Sequence, residues 1–242
     1  MSLGRSFSLT WLGHSTFTIT TAGGKVILID PWVSGNPACP EARKRFDRVD
    51  LMLITHGHFD HIGDAVELAK RHKPDVVCIF ETGVWLQGKG VEKVTGMNKG
   101  GTVAIQGIDV TMVGAEHSCG ISDKDAAGND IFVYGGDPAG FVIRLEDGFH
   151  IYHAGDTNLF GDMKLIGDLY GPDLALLPIG GHFTMGPREA AEAIRLLGVR
   201  KVIPMHYGTF PILRGSPADL RRQCGDIQGL EILSLEPGQT LA

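Results

Sequence analysis

Three histidines and one aspartate lie within six positions of the chain: His56, His58, Asp60 and His61. They follow the apolar segment 49–54, and the order predicts a strand, a short turn and a helix. Such a turn can direct side chains from both odd and even positions toward one point, whereas a regular strand sends them to opposite faces. Neutral imidazole and carboxylate together form a ligand set that suits zinc, iron or manganese. A solvated histidine-rich loop is the alternative, but three of only ten histidines beside one aspartate favour a metal site.

Four donors in one short segment exceed what a single catalytic ion takes when it must also keep a position open for water. We therefore predict two adjacent divalent ions, with His56 and His58 on the first and Asp60 and His61 on the second. Zn²⁺ is the expected ion, and Mn²⁺, Fe²⁺ and Ni²⁺ are alternatives that the sequence leaves open.

Three further potential ligands stand just after apolar, strand-like segments, as the motif does. They are His117 after residues 110–115, Asp156 after residues 149–153 and His206 after residues 202–205. Strand ends at one edge of a sandwich converge on one rim, so these side chains are expected to meet the motif. We predict that His117 completes the first site and His206 the second, while Asp156, with two oxygens, bridges both ions. Any of the three alone would more often be a structural residue.

The elements that position these residues follow from hydrophobic periodicity and from the many glycines, 34 in all, at segment ends. Predicted strands are residues 7–12, 16–20, 25–30, 49–54, 75–80, 103–105, 108–115, 140–145, 149–153, 174–178, 201–205 and 231–235. Predicted helices are residues 64–71, 82–87, 163–170 and 188–197, with one more opened by Ser216 as N-cap and Pro217 at its first position. The glycine-rich residues 116–138 are weakly patterned, and we expect a loop over the site there.

So many strands do not fit one open sheet in a chain of this length. Each half of the chain runs from strands into alternating strand and helix, so we expect an α/β fold with two sheets packed face to face and helices outside each. At 242 residues, of which 43% are hydrophobic, a single domain over 1–242 is expected.

Composition limits the partners. The net charge is −6 and no basic face is evident, so no nucleic-acid partner is expected. No apolar run approaches the ~20 residues of a membrane helix, so we predict no membrane segment. Four scattered cysteines and the lack of a secretory signal predict a cytoplasmic protein with reduced thiols. Cys119 lies two positions from His117 and could form a dyad with it, but His117 is better used on a metal.

The ordered set His56-x-His58-x-Asp60-His61, His117, Asp156 and His206 resembles the metallo-β-lactamase-fold hydrolases over about residues 11–207. The resemblance implies a four-layer αββα sandwich with a binuclear centre at one edge, and Asp30 matches an early acidic position of that superfamily. Other motifs are similar to the uncharacterised metal-dependent hydrolase group related to L-ascorbate-6-phosphate lactonases. These motifs are Trp11-Leu12-Gly13-His14-Ser15, Tyr134-Gly135-Gly136, Pro178-Ile179-Gly180-Gly181-His182-Phe183-Thr184-Met185 and Met205-His206-Tyr207-Gly208.

These observations predict a metal-dependent hydrolase of a small ester, lactone or phosphoester. Two ions ~3.5–4 Å apart can hold a shared hydroxide, because coordination lowers the pKa of water toward ~7. Asp60 is the predicted catalytic residue that orients this nucleophile. His182, which follows a glycine pair at a strand end, is predicted to assist the leaving group. His14 has a similar setting, and its role stays open between lining the pocket and hydrogen bonding behind the ligands.

Two other functions are compatible with the same donors. Iron could activate oxygen on a thiol substrate, as persulfide dioxygenases do, although His58 stands where flavodiiron centres of this fold have a glutamate. A sensor could bind metal without turnover, although the intact ligand set disfavours this. The expected partner is a small-molecule substrate. The sequence leaves open its identity and whether the chain forms a homo-oligomer.

Overall fold

The computed structural model describes residues 6–242, so residues 1–5 of the predicted domain lie outside the described part. Two seven-stranded sheets form its centre. The first has the spatial order β16-β1-β2-β3-β4-β5-β6 and consists of β1 (Ser8–Trp11), β2 (Phe17–Thr20), β3 (Val26–Ile29), β4 (Leu51–Leu53), β5 (Asp75–Ile79), β6 (Val94–Met97) and β16 (Thr240–Leu241).

The second sheet contains the remaining long strands. Its spatial order is β15-β14-β13-β12-β11-β8-β7, and it consists of β7 (Thr102–Ile105), β8 (Ile108–Gly114), β11 (Ala139–Arg144), β12 (His150–His153), β13 (Leu174–Pro178), β14 (Lys201–Met205) and β15 (Glu231–Ile232). In this sheet β12, β13 and β14 are parallel. Strand β8 points the same way as β12, because both are antiparallel to β11.

Strand direction in the first sheet follows the same logic. Strands β3 and β4 are parallel, and β1 shares their direction because β1 and β3 are both antiparallel to β2. The carboxyl ends of β1, β3 and β4 therefore leave the first sheet at one edge. Those of β8, β12 and β14 leave the second sheet at one edge, so each sheet directs several loops to one rim.

Helices cover the outer face of each sheet. The helices are α1 (Phe59–Ile62), α2 (Ala65–His72), α3 (Phe80–Gly88), α4 (Met163–Tyr170), α5 (Pro187–Leu197) and α6 (Pro217–Gln223), with a 3-10 turn at Glu41–Arg43. One apolar cluster lies between the sheets, where Phe17 and Phe141 are fully buried. A second apolar cluster joins the outer face of the second sheet to α4, α5 and α6. A third joins the outer face of the first sheet to α2 and α3. This is the predicted αββα sandwich, which is confirmed.

Helix α5 illustrates how sequence fixes such a layer. Pro187 occupies its first turn, where no backbone donor is lost, and Gly198 ends it in the left-handed conformation. Ala190, Ile194 and Leu197 recur at helical spacing and are buried against the sheet. At α6 the predicted N-cap is confirmed, because the Ser216 side chain accepts a hydrogen bond from the backbone N–H of Asp219.

The predicted loop over residues 116–138 is wrong. The segment contains an antiparallel hairpin of β9 (Gly120–Lys124) and β10 (Asp130–Tyr134). The hairpin has little buried apolar surface: in β9 only Ile121 is buried, and in β10 four of five residues are exposed, with Phe132 at 83%. The short strands β6 and β16 were not predicted either. No helix within residues 6–242 is long and apolar enough to cross a bilayer.

Candidate metal centre

Each sheet delivers candidate ligands to the same rim from the carboxyl ends of its strands. The motif follows β4, His117 follows β8, Asp156 follows β12 and His206 follows β14. Asp60 and His61 lie on α1, a single helical turn that begins directly after His58. All seven predicted ligands are brought together in this way, although they are spread over 151 positions from His56 to His206.

Three histidines form the first cluster of donors. His56 Nε2 lies 2.9 Å from His58 Nδ1, and His117 Nε2 lies 3.3 Å from the same His58 nitrogen. One ligand atom from each residue therefore falls within 4.8 Å of the others. Three ring nitrogens converging on one point can hold one cation.

The second cluster contains Asp60, His61 and His206 together with His14, again with ligand atoms within 4.8 Å of one another. Asp156 stands between the two clusters. Its Oδ2 lies 2.9 Å from His206 Nε2, 3.3 Å from His61 Nε2 and 3.7 Å from His117 Nε2. One carboxylate thus faces histidines of both clusters, as a bridging ligand would.

Several buried polar atoms of this centre lack a hydrogen-bond partner within the described residues. They are His61 Nε2, Asp156 Oδ1 and both ring nitrogens of His206, because the short approaches of Asp156 Oδ2 to His61 and His206 lack hydrogen-bond geometry. Unsatisfied buried polar groups are costly and rare, so their concentration at one point calls for another partner. Divalent cations would satisfy nitrogen and carboxylate donors of this kind, so the residues fit the metals that the donor set implies.

Asp30 supports both clusters from behind. This fully buried carboxylate accepts the Thr55 backbone N–H at 2.8 Å, the Thr55 hydroxyl at 2.8 Å and Nδ1–H of His61 at 2.7 Å. The Thr55 hydroxyl oxygen in turn lies 3.0 Å from His56 Nδ1 and accepts from it. Both histidines are thereby held with Nε2 free to bind a metal. In the sequence Asp30 stood out only through the resemblance.

Burial sets the charge of the first cluster. It lowers the pKa of His56 well below its usual value, and it also lowers the pKa of His58 and of His117. Neighbouring histidines act in the same direction. The three rings are therefore neutral at neutral pH, which is the form that binds a metal.

The second cluster has the opposite balance. Burial alone lowers the pKa of His61, but the carboxylates of Asp156 and Asp30 outweigh it and hold the pKa well above its usual value. Burial alone raises the pKa of Asp156, but His206 and His61 outweigh it and hold that pKa well below its usual value. Without a metal, a proton on His61 supplies positive charge between two carboxylates.

Metal binding at neutral pH is therefore expected to release about one proton per chain, because an ion at His61 Nε2 displaces the proton held there. Since the His61 pKa is raised, the apparent metal affinity should increase as pH rises. Titration calorimetry of stripped protein with Zn²⁺, in two buffers of different ionisation enthalpy, measures the release. His72→Gln, on α2 and away from the centre, is the matched control. Equal heats in both buffers at pH 7 would contradict this expectation.

Glycine is required directly before the bridging carboxylate. Gly155 has a φ of +64°, and a Cβ there would lie 2.7 Å from the Ala139 carbonyl oxygen and 2.9 Å from Thr55 Cβ. Any side chain would displace the strand end that carries the motif. This close approach of the two sheets is what brings Asp156 to the histidines.

The remaining predicted candidates have other surroundings. Cys119 is buried, where its Sγ accepts the Gly57 N–H at 3.2 Å and donates to the Gly135 carbonyl at 3.3 Å, and burial raises its pKa. These backbone contacts make it a structural thiol rather than a partner of His117. His182 is exposed, lies against Phe183, and lines an open cleft of about 700 Å³ outside the donor clusters.

Comparison with known proteins gives one consistent result. Residues 25–207 match the Beta-lactamase superfamily domain. The chain is 54% identical over 236 residues to a UPF0173 metal-dependent hydrolase of Koribacter versatilis, covering 98% of both chains. It is also 54% identical over 233 residues to one of Solibacter usitatus, covering 96% of this chain and 97% of the other. The structure of a novel metallo hydrolase from Ignicoccus hospitalis has 37% identity and a TM-score of 0.84, covering 97% of both chains.

Proposed function

We propose that this chain, which belongs to the Beta-lactamase superfamily and is a metal-dependent hydrolase, cleaves a small ester, lactone or phosphoester. The proposed reaction takes place at a pair of divalent ions. The proposed ligands are His56, His58 and His117 for the first ion, Asp60, His61 and His206 for the second, and Asp156 for both. Zn²⁺ is the proposed metal.

One observation carries this proposal. Two clusters of donors lie on either side of one buried carboxylate, whose Oδ2 faces histidines of each cluster at 2.9 to 3.7 Å. Each ion would take three donors of its own and share Asp156, and expansion to five-coordination would admit water or substrate. Both sheets contribute ligands, so we propose that residues 1–242 act as a single metallo-hydrolase domain.

Two such ions, when bound, generate a hydroxide nucleophile near neutral pH and polarise the oxygen that becomes negative. Asp60 contributes a fixed acceptor for orienting that nucleophile. Burial alone raises the pKa of Asp60, but a hydrogen bond from His14 and the nearby His61 lower it to about 2. Its carboxylate is therefore ionised at any physiological pH. His182 lines the open cleft outside the donor clusters. In this proposal its side chain donates a proton to the leaving group.

The substrate class can be tested with stripped protein reloaded separately with Zn²⁺, Mn²⁺, Fe²⁺ or Ni²⁺. Chromogenic esters, lactones and phosphodiesters form the panel. We expect turnover of at least one class that requires the metal, and one ¹⁸O atom from labelled water in the acid product. His182→Asn should lower kcat more for substrates with poor leaving groups than for those with good ones.

The same reloaded proteins test the competing functions. Oxygen uptake by the iron form with a glutathione persulfide, and no hydrolysis, would support the dioxygenase alternative instead. Full metal loading with no turnover of any class would support a metal-binding sensor. We also propose a cytoplasmic location, which is supported by four free and buried cysteines.

A further inference from the structure

We propose that His14, held at its other ring nitrogen by Thr209, is a positioning residue that fixes the Asp60 carboxylate at the second ion. This rests on the proposed function, since it concerns the same centre. His14 is fully buried, and its Nε2 lies 3.0 Å from Asp60 Oδ2. Its Nδ1 lies 3.0 Å from Thr209 Oγ1. The ring is thus clamped at both nitrogens between two side chains from distant parts of the chain.

The direction of these hydrogen bonds follows from what each group can do. An ionised carboxylate only accepts, so His14 Nε2 must carry the hydrogen that Asp60 receives. A neutral imidazole then has a lone pair on Nδ1, and the Thr209 hydroxyl donates to it. In this arrangement Thr209 selects the tautomer of His14, and that tautomer holds Asp60.

The competing arrangement makes His14 an additional metal ligand. Its Nε2 falls in the same 4.8 Å cluster as Asp60, His61 and His206. In that case Nδ1–H would donate to Thr209 and Nε2 would face the ion. The second ion already has three donors of its own besides Asp156, and hydrolysis needs an open position. A further nitrogen would fill the position that substrate or water requires, so we favour the hydrogen bond.

The backbone around His14 is built to hold this one orientation. His14 has a φ of +54°, an unusual conformation for a residue with a side chain. Its carbonyl accepts two hydrogen bonds, from Trp11 Nε1–H at 2.9 Å and from the backbone N–H of His206 at 3.0 Å. Its ring also packs on the ring of His206, with centroids 3.9 Å apart. The turn therefore ties the His206 backbone and the Asp60 side chain to one fixed point.

Two substitutions at position 14 separate the donor from the ring. His14→Gln keeps an N–H donor at the reach of Nε2, whereas His14→Phe keeps the flat ring and removes the donor. We expect His14→Phe to weaken Co²⁺ binding at the second ion position and to lower kcat, each by about 10–100-fold, with KM changed less than kcat. His14→Gln should recover most of both losses. Thr209→Val should lower kcat by a smaller factor, and its loss of Co²⁺ affinity should again be confined to the second ion position.

The test titrates stripped protein with Co²⁺, following the visible spectrum and the number of ions per chain, and measures turnover of the best substrate of the ester, lactone and phosphodiester panel. His150→Phe, at the end of β12 opposite to Asp156, is the matched control, and thermal unfolding checks that each variant is folded. If His14→Phe does not fold, His14→Gln decides, because it should keep two Co²⁺ per chain if His14 holds Asp60 and should lose one if His14 is a ligand. A drop to one Co²⁺ per chain in both position-14 variants would make His14 a ligand and overturn the proposal. Unchanged Co²⁺ affinity and kcat in His14→Phe would also overturn it.

If the wild type binds two Co²⁺ but hydrolyses nothing, the proposed function fails while the Co²⁺ titration still decides the role of His14.

Discussion

Replacing Asp156 with alanine is expected to lower kcat/KM by at least about 10³-fold and to remove most bound metal, because the metal contributes several kcal/mol to the transition state. The Asp156 side chain is 3% exposed, and its Oδ2 faces His206, His61 and His117. Within the described residues, no other carboxylate lies within 4.0 Å of ring nitrogens from both clusters. Without it, cationic charge at the centre would be opposed by fewer negative groups, so both ions should bind more weakly.

Elemental analysis of the purified variant, with turnover of the best substrate, measures this effect. Asp168→Ala is the matched control, since that carboxylate is exposed on α4 and pairs with Lys164 one turn away. The control should keep wild-type metal content and rate. An Asp156→Ala protein with two ions per chain and a rate within tenfold of wild type would exclude Asp156 as the shared ligand.

Replacing His58 with alanine is expected to empty the first ion position and to leave the second. His58 Nδ1 is the atom nearest to both other donors of the first cluster, at 2.9 Å from His56 and 3.3 Å from His117. Asp60, His61 and their partners do not depend on it. We expect about one ion per chain and a loss of kcat of about 10²–10³-fold, because one of the two ions that stabilise the developing charge is absent.

Metal content and the Co²⁺ spectrum of His58→Ala provide the measurement. His150→Ala is a suitable control, because that histidine is at the opposite end of its strand from Asp156. A wild-type protein that holds one ion at saturation would contradict the binuclear proposal directly. Two ions retained in His58→Ala would instead show that His58 is not a ligand.

Local sequence accounted for much of the architecture. The buried strands β4, β5 and β13 read as apolar runs, and helix α5 as an amphipathic repeat with proline first and glycine last. Such patterns reflect burial, so they predict elements that pack against a core. The family, the αββα fold and the enzyme class predicted from the ordered motifs are confirmed. The ligand roles stay predictions.

The hairpin of β9 and β10 shows where such reasoning fails. Only Ile121 is fully buried on one face of the hairpin, and Phe132 and Tyr134 on the other face are 83% and 70% exposed, so burial imposes only a weak period on the sequence. Its strands are instead held by mutual pairing between Gly120–Lys124 and Asp130–Tyr134. A strand stabilised by its partner rather than by a core leaves little trace in hydrophobicity.

The sequence by itself determined which donors exist, because ligand chemistry depends on residue type and because turns after strands place such residues at a rim. Tertiary structure alone decided how they are held. Asp60 and Thr209 contact His14 from 46 and 195 positions away, and Asp30 contacts His61 from 31 positions away. The Asp60 and Asp30 contacts join loops at the edge of the first sheet, and the Thr209 contact joins the two sheets. They depend on strand order and sheet packing, which no local pattern of residues encodes.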